Sequence, residues 1–229
     1  MTWILANLDL IWQLTLAHLA TALPAIVLSF VLSIPIGWFA NRFQKSRGLV
    51  LTVSALLYAI PSLPLFLVLP LIIGTSIRDS INVTISLTIY GVALMARSTA
   101  DGLASVDADV SQSATAVGFS PRSQFWQVEL PLAGPVLLAG VRVVAVSTIS
   151  LTTVGAVLGI GSLGSLFTDG FQRNIPEEIL AGIVLTIVIA LVIDALLVGL
   201  GRLLMPWTRV KSTSSDGRPS PAARKAVTV

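Results

Sequence analysis

The sequence predicts an all-α integral membrane protein of about five transmembrane helices, N-terminus outside and C-terminus in the cytoplasm. Two patterns carry that expectation: long apolar runs almost without charge, and a one-sided distribution of Lys and Arg. The chain has 229 residues, of which 55% are hydrophobic and 11% charged, with a mean hydropathy of +0.91. A soluble domain carries about 25% charged residues. Cysteine is absent, which excludes disulfides and thiol chemistry. The single histidine, His18, excludes a multi-histidine metal site. Basic residues do not gather along one nucleic-acid-binding face, so no nucleic-acid partner is expected.

Between residues 10 and 41 the only ionisable side chain of the Asp/Glu/Lys/Arg/His set is His18, and 48–77, 80–96 and 143–168 carry none. Crossing the hydrocarbon takes about 20 apolar residues. The runs place spans near 17–40, 50–73, 81–100, 134–159 and 178–204. Lipid offers no partner to open backbone groups, so each span is a helix. A membrane β-barrel would alternate with period two, and these runs do not.

No Lys or Arg precedes Arg42, so the positive leader of a signal peptide is missing. Residues 1–16 are expected as an N-terminal segment, either an interfacial helix with Trp3 and Trp12 near the headgroups or a continuation of the first span. Residues 17–210 form the transmembrane domain. Residues 211–229, rich in Ser, Pro and Ala with several basic residues, are expected to be a disordered basic cytoplasmic tail.

The five-span layout sorts the basic residues by side. Arg42, Lys45, Arg47, Arg97, Arg122, Arg142, Arg202, Arg209, Lys211, Arg218, Arg224 and Lys225 fall on one side; Arg78 and Arg173 fall on the other. The positive-inside rule makes the richer side cytoplasmic. Trp38, Phe39, Phe43 and Trp207 at the inner ends, and Trp12 at the outer end, fit an aromatic belt of lipid-facing anchors.

The long polar interruption, Gln112 to Pro131, then lies in the cytoplasm. Asp109 is expected to cap a helix beginning at Val110, with Gln112 at the reciprocal capping position. Val110, Ala114 and Val117 form an apolar stripe at helical spacing. Gly118 suits the left-handed residue that ends this helix. Ser120 and Pro121 suit an N-cap and first helical position, opening a second short helix to about Leu130 that carries Phe125, Trp126 and Val128. Pro131 and Pro135 open the fourth span. Two short helices hinged at a glycine suit either a docking element for a partner protein or an amphipathic loop on the inner leaflet.

The spacing in this loop resembles a family signature. Gly118 is followed by nine residues and then Val128-Glu129-Leu130-Pro131. Permease subunits of binding-protein-dependent ABC importers read Glu-Ala-Ala, three residues, Gly, nine residues, Ile-x-Leu-Pro. Here Gln112-Ser113-Ala114 stands where that family has Glu-Ala-Ala, and Val128 replaces Ile. Further segments are similar to the glycine betaine, carnitine and choline (osmoprotectant) permeases: Ile60-Pro61-Ser62-Leu63 with Leu69-Pro70-Leu71, then 96–103, 135–142 and Ile160-Gly161-Ser162-Leu163-Gly164. The last of these lacks two of the glycines usual there. The resemblance covers roughly residues 15–205.

It implies the type I ABC importer permease fold in the plasma (inner) membrane. It also implies that the loop at about 101–131 couples to an ABC ATPase dimer through Gln112, Ser113, Ala114, Gly118, Phe125, Trp126, Val128, Leu130 and Pro131. A second permease copy, or a related permease, and an extracellular solute-binding protein complete the expected assembly. The expected solute is a small osmoprotectant of the glycine betaine, carnitine, choline or proline type. Another small polar solute such as an amino acid is the alternative within the class; a secondary carrier or channel is the alternative outside it. No equal internal repeats support a carrier, and no filter sequence supports a channel.

The chain has no G-x-x-x-x-G-K-[ST] phosphate loop, and Gly161–Gly164 lacks the lysine. No catalytic residues, cofactor or metal are expected in the chain itself, and ATP with Mg would be held by the partner ATPase. His18 is expected to be a satisfied interfacial histidine at the edge of span 1. Arg142 and Asp194 each lie eight residues inside a predicted span, about 12 Å deep, and are a candidate intramembrane ion pair. No substrate-contacting residue stands out.

Overall fold

The computed structural model describes residues 2–208. The expected disordered tail at 211–229 lies outside the described residues. The described chain is helical, in the order α1 (Thr2–Ala6), α2 (Leu8–Arg42), α3 (Gln44–Ala59), α4 (Ser62–Ile73), α5 (Ser80–Ala104), α6 (Ala108–Ala116), α7 (Pro121–Gln124), α8 (Leu130–Thr152), α9 (Gly164–Gln172) and α10 (Pro176–Leu204). A π-helical turn at Phe125–Glu129 joins α7 to α8, and a 3-10 stretch at Thr153–Leu158 follows α8.

Among the described residues, four helical stretches are long and apolar enough to cross a membrane: Leu8–Arg42, Ser80–Ala104, Pro121–Leu158 and Pro176–Leu204. A fifth candidate crossing is α3 with α4, bent by 102° between them. The expected second span is therefore a broken one and not a single helix at 50–73. The cause is Pro61. A residue before proline is pushed out of the α region, and Ile60 sits at φ −65°, ψ 129°, followed by Pro61 at φ −62°, ψ 137°. Two consecutive extended residues turn the chain. Tyr90 of α5 donates its hydroxyl hydrogen to the Ile60 carbonyl at 2.7 Å, so the carbonyl opened by the break is satisfied.

The first span is longer than expected. α2 passes through residues 8–16 and through Pro24 and Pro35, so these residues continue the span, and only Thr2–Ala6 forms a separate short helix. Asn7 marks the break, donating from Nδ2 to the Trp3 carbonyl at 2.7 Å. This length carries His18 ten residues inside α2, where it is fully buried among protein atoms.

The fourth span also starts early, because the helix from Pro121 runs on through Pro131 without stopping. A proline inside a helix removes one hydrogen bond and crowds the carbonyl four residues back. Here the turn before it is widened, with the Leu130 N–H bonded to the Phe125 carbonyl. The wider turn makes room for the ring, so Pro131 sits in the first turn of α8 without interrupting the helical run from Pro121.

α5 is the most enclosed span, with 67% of its most apolar stretch buried, whereas none of the corresponding stretch of α10 is buried. Ala22, Ile26, Met95, Leu137, Val141, Val144 and Ile149 form the main core between α2, α5 and α8. Small residues let α2 and α5 approach closely, as is general for helices in lipid. A side chain at Gly91 would run into Ser29, and one at Gly37 into Thr99. Hydroxyls bridge the same seam: Ser29 donates to the Thr88 carbonyl at 3.2 Å, and Thr99 Oγ1 to Ser33 Oγ at 3.4 Å.

Candidate functional site: the loop from Ser105 to Leu130

The loop leaves the C-terminal end of α5. Its base is tied down by Asp101, which receives Arg47 of α3 at 2.8 Å and lies 3.9 Å from Arg97. The cap of α6 differs from expectation. Asp107, not Asp109, is the N-cap: its Oδ1 accepts from the Asp109 N–H at 2.8 Å, and the helix starts at Ala108. Asp109 falls in the first turn, where its charge complements the helix dipole. Gln112 consequently does not hold the reciprocal capping position; it is exposed, as is Ser113.

Gly118 ends α6 at φ +97°. The Phe119 N–H bonds to the Ala114 carbonyl at 3.1 Å and the Gly118 N–H to the Thr115 carbonyl at 3.0 Å. This pair of bonds is the Schellman arrangement, which requires a left-handed residue where Gly118 stands. Ser120 then caps the next helix, its hydroxyl oxygen accepting from the Ser123 N–H at 3.3 Å, with Pro121 in the first turn.

The loop is braced across its own hinge. Thr115 Oγ1 lies within donating reach of Gln124 Oε1 at 3.2 Å, and Gln124 Nε2 donates to Glu129 Oε1 at 3.0 Å. Gln124 thus links α6 to the π turn. The sequence reading missed both Gln124 and Asp107. Asp107 was legible as an alternative cap, but the Gln124 bridge depends on how the two helices fold back on each other.

The expected apolar stripe divides on folding. Ala114 is buried, while Val110 is 41% exposed and Val117 80%. Phe125 is half-buried and packs on the main core, as do Val106 and Leu130. It meets Trp38 of α2 edge-on at 6.3 Å and Trp126 at 5.2 Å. Trp38 is therefore a strut for the loop as well as a surface aromatic. Trp126 stays 62% exposed. Trp126, Leu130 and Pro131 line one end of an apolar cavity of about 570 Å³ between α2, α8 and α10, and Val128 is half-buried. The product is an element fixed to the bundle by Asp101, Phe125 and Leu130 that presents large apolar groups to whatever covers it.

Further along α8, Arg142 meets Asp194 of α10. Arg142 Nε donates to Oδ1 at 2.6 Å and Nη2 to Oδ2 at 2.8 Å, a two-pronged pair joining the two spans.

This arrangement can be set beside known proteins. The model of the family described as binding-protein-dependent transport system inner membrane component matches residues 33–210. The chain belongs to this family. It is 29% identical over 192 residues to the choline transport system permease protein OpuBB of Bacillus subtilis, covering 84% of this chain and 87% of that one. It is 30% identical over 195 residues to the glycine betaine/carnitine/choline transport system permease protein OpuCD of the same organism, covering 85% and 84%. The fold is similar to an inward-facing structure of the MetNI methionine ABC transporter, with a TM-score of 0.77 at 19% identity over 87% of this chain and 98% of that one. The protein is thus a multi-pass membrane component with the type I ABC importer permease fold.

Proposed function

We propose that the chain is the membrane-spanning half of an ATP-driven importer for small osmoprotectant solutes of the glycine betaine, carnitine and choline type. The observation that carries this reading is the family match over residues 33–210 together with two permease relatives named for those solutes. The carrier and channel alternatives fall with the family assignment. Two copies, or this chain and a related one, enclose the path. A separate ATPase pair hydrolyses ATP, and an extracellular binding protein delivers the solute.

In this reading the basic ends of the spans face the cytoplasm, and the 105–130 loop docks on the ATPase. Exposed Val117 and Trp126 on a braced, anchored element support the docking role. Gln112, in place of a carboxylate, offers hydrogen bonds without charge. ATP binding favours one arrangement of the paired permeases, and the docked loops carry that preference into the spans, because a ligand shifts an equilibrium only through its different affinity for the two states.

Uptake of radiolabelled glycine betaine, carnitine and choline in a strain lacking the chain, with and without its restoration, tests the reading. ATP-dependent recovery of at least one solute is expected. Recovery of none, with the protein present in the membrane, sinks the solute assignment.

A further inference from the structure

At the end of the bundle opposite the 105–130 loop, the 3-10 stretch after α8 and the last turn of α9 fold against the residues that lead into α5. They leave an open cleft of about 390 Å³, within the range of small-molecule sites, about 300–1,000 Å³. Arg78, Thr168, Asp169 and Gln172 supply its polar lining, and Ala156 and Val157 are among its apolar residues. Arg78 and Asp169 have opposite charges and share this cleft. Among the described residues neither forms an ion pair, nor does either side chain hydrogen-bond within the protein. The neighbouring carboxylate, Asp79, is occupied as the cap of α5, accepting from the Ile81 N–H at 3.1 Å.

A guanidinium and a carboxylate that share a cleft without joining each present an unmet charge. A guanidinium takes a carboxylate in a two-pronged fashion. A carboxylate takes a cation, and an N-methylated cation also needs apolar surface around its methyl groups. We propose that this cleft is a binding site for a small zwitterion in transit, with the ligand's carboxylate on Arg78, its cationic nitrogen toward Asp169, and its methyl groups against Ala156 and Val157. Thr168 and Gln172 supply hydrogen bonds between the two ends. Arg78 and Asp169 are exposed, so solvent screens both charges and the site holds its ligand weakly, as a transit site must. The solute class rests on the permease reading above; the cleft itself does not.

Two measurements on the assembled complex separate these claims. Saturation-transfer NMR of glycine betaine with the permease and ATPase subunits in nanodiscs, the solute-binding protein omitted so that it adds no signal, reads the cleft without transport. A signal is expected for the native protein, lost in Arg78→Gln; no signal, or one that survives Arg78→Gln, overturns the proposal whatever the complex transports. In proteoliposomes, maximal uptake is compared for glycine betaine and for choline, which has the quaternary nitrogen but no carboxylate. Arg78→Gln is expected to lower the glycine betaine rate about tenfold or more relative to choline, and Asp169→Asn to lower both. An equal loss of the two solutes in Arg78→Gln overturns the proposal in favour of a docking contact for the binding protein. Native vesicles that carry neither solute sink the solute reading, and the NMR result then stands alone for the cleft.

Discussion

The Tyr90 hydroxyl, on α5, hydrogen-bonds at 2.7 Å to the carbonyl of Ile60, the residue at which the second crossing breaks. The same tyrosine meets Tyr58 edge-on at 6.0 Å. One side chain from the most enclosed helix thus holds both the open carbonyl and the last turn of α3. Nothing in lipid can replace the lost partner, so Tyr90→Phe should cost about 1–3 kcal/mol. Thermal unfolding of the purified protein in detergent should show a lower midpoint for Tyr90→Phe than for the native chain. An unchanged midpoint would mean that the break is held by packing alone.

This bond also shows where sequence reasoning stops. Hydropathy located the third and fifth spans to within a few residues, Ser80–Ala104 and Pro176–Leu204, but put the starts of the first and fourth nine or more residues late. It could not see the 102° bend, because Pro24 and Pro35 sit inside an unbroken helix while Pro61 does not. The difference lies in tertiary support: Tyr90 stands opposite Ile60, thirty residues away. Capping logic found Gly118 and Ser120, where the turn chemistry is local. It misplaced the α6 cap, because Asp107 and Asp109 are equivalent by residue type. It could suggest Arg142 with Asp194 only from matching depths, and not that the two side chains face each other.

The Asp107 cap is directly testable. Replacing an N-cap carboxylate with alanine costs about 1 kcal/mol, whereas a first-turn carboxylate contributes a few tenths through the dipole. Asp107→Ala should therefore speed amide exchange across residues 108–116, and Asp109→Ala should leave it almost unchanged. The opposite order would restore Asp109 as the cap.

The Arg142–Asp194 pair joins α8 to α10, the span with the least enclosure. Removing one partner leaves an unpaired charge within a candidate membrane span, where ionised side chains are costly. Arg142→Ala and Asp194→Ala should each reduce the folded yield in membranes, measured by fluorescence-detected size exclusion. The swapped double variant, Arg142→Asp with Asp194→Arg, should regain much of that yield. Harmless single variants would mean that the pair contributes nothing to the fold.

Gly118 separates conformation from contact. No atom lies within 4 Å of the place a side chain would occupy there, yet its φ of +97° is one that β-branched residues rarely adopt. Within the chain itself any effect of substitution therefore arises from the backbone, and a valine should strain the hinge by about 1–2 kcal/mol. Asparagine tolerates left-handed geometry better. If the loop docks on an ATPase, Gly118→Val should leave ATP hydrolysis running while uptake falls, and Gly118→Asn should retain most of the coupling. Measuring both rates in the same proteoliposomes checks this. Equal impairment by valine and asparagine would point instead to a steric clash in the docked state, where the partner's surface comes too close for any side chain at all.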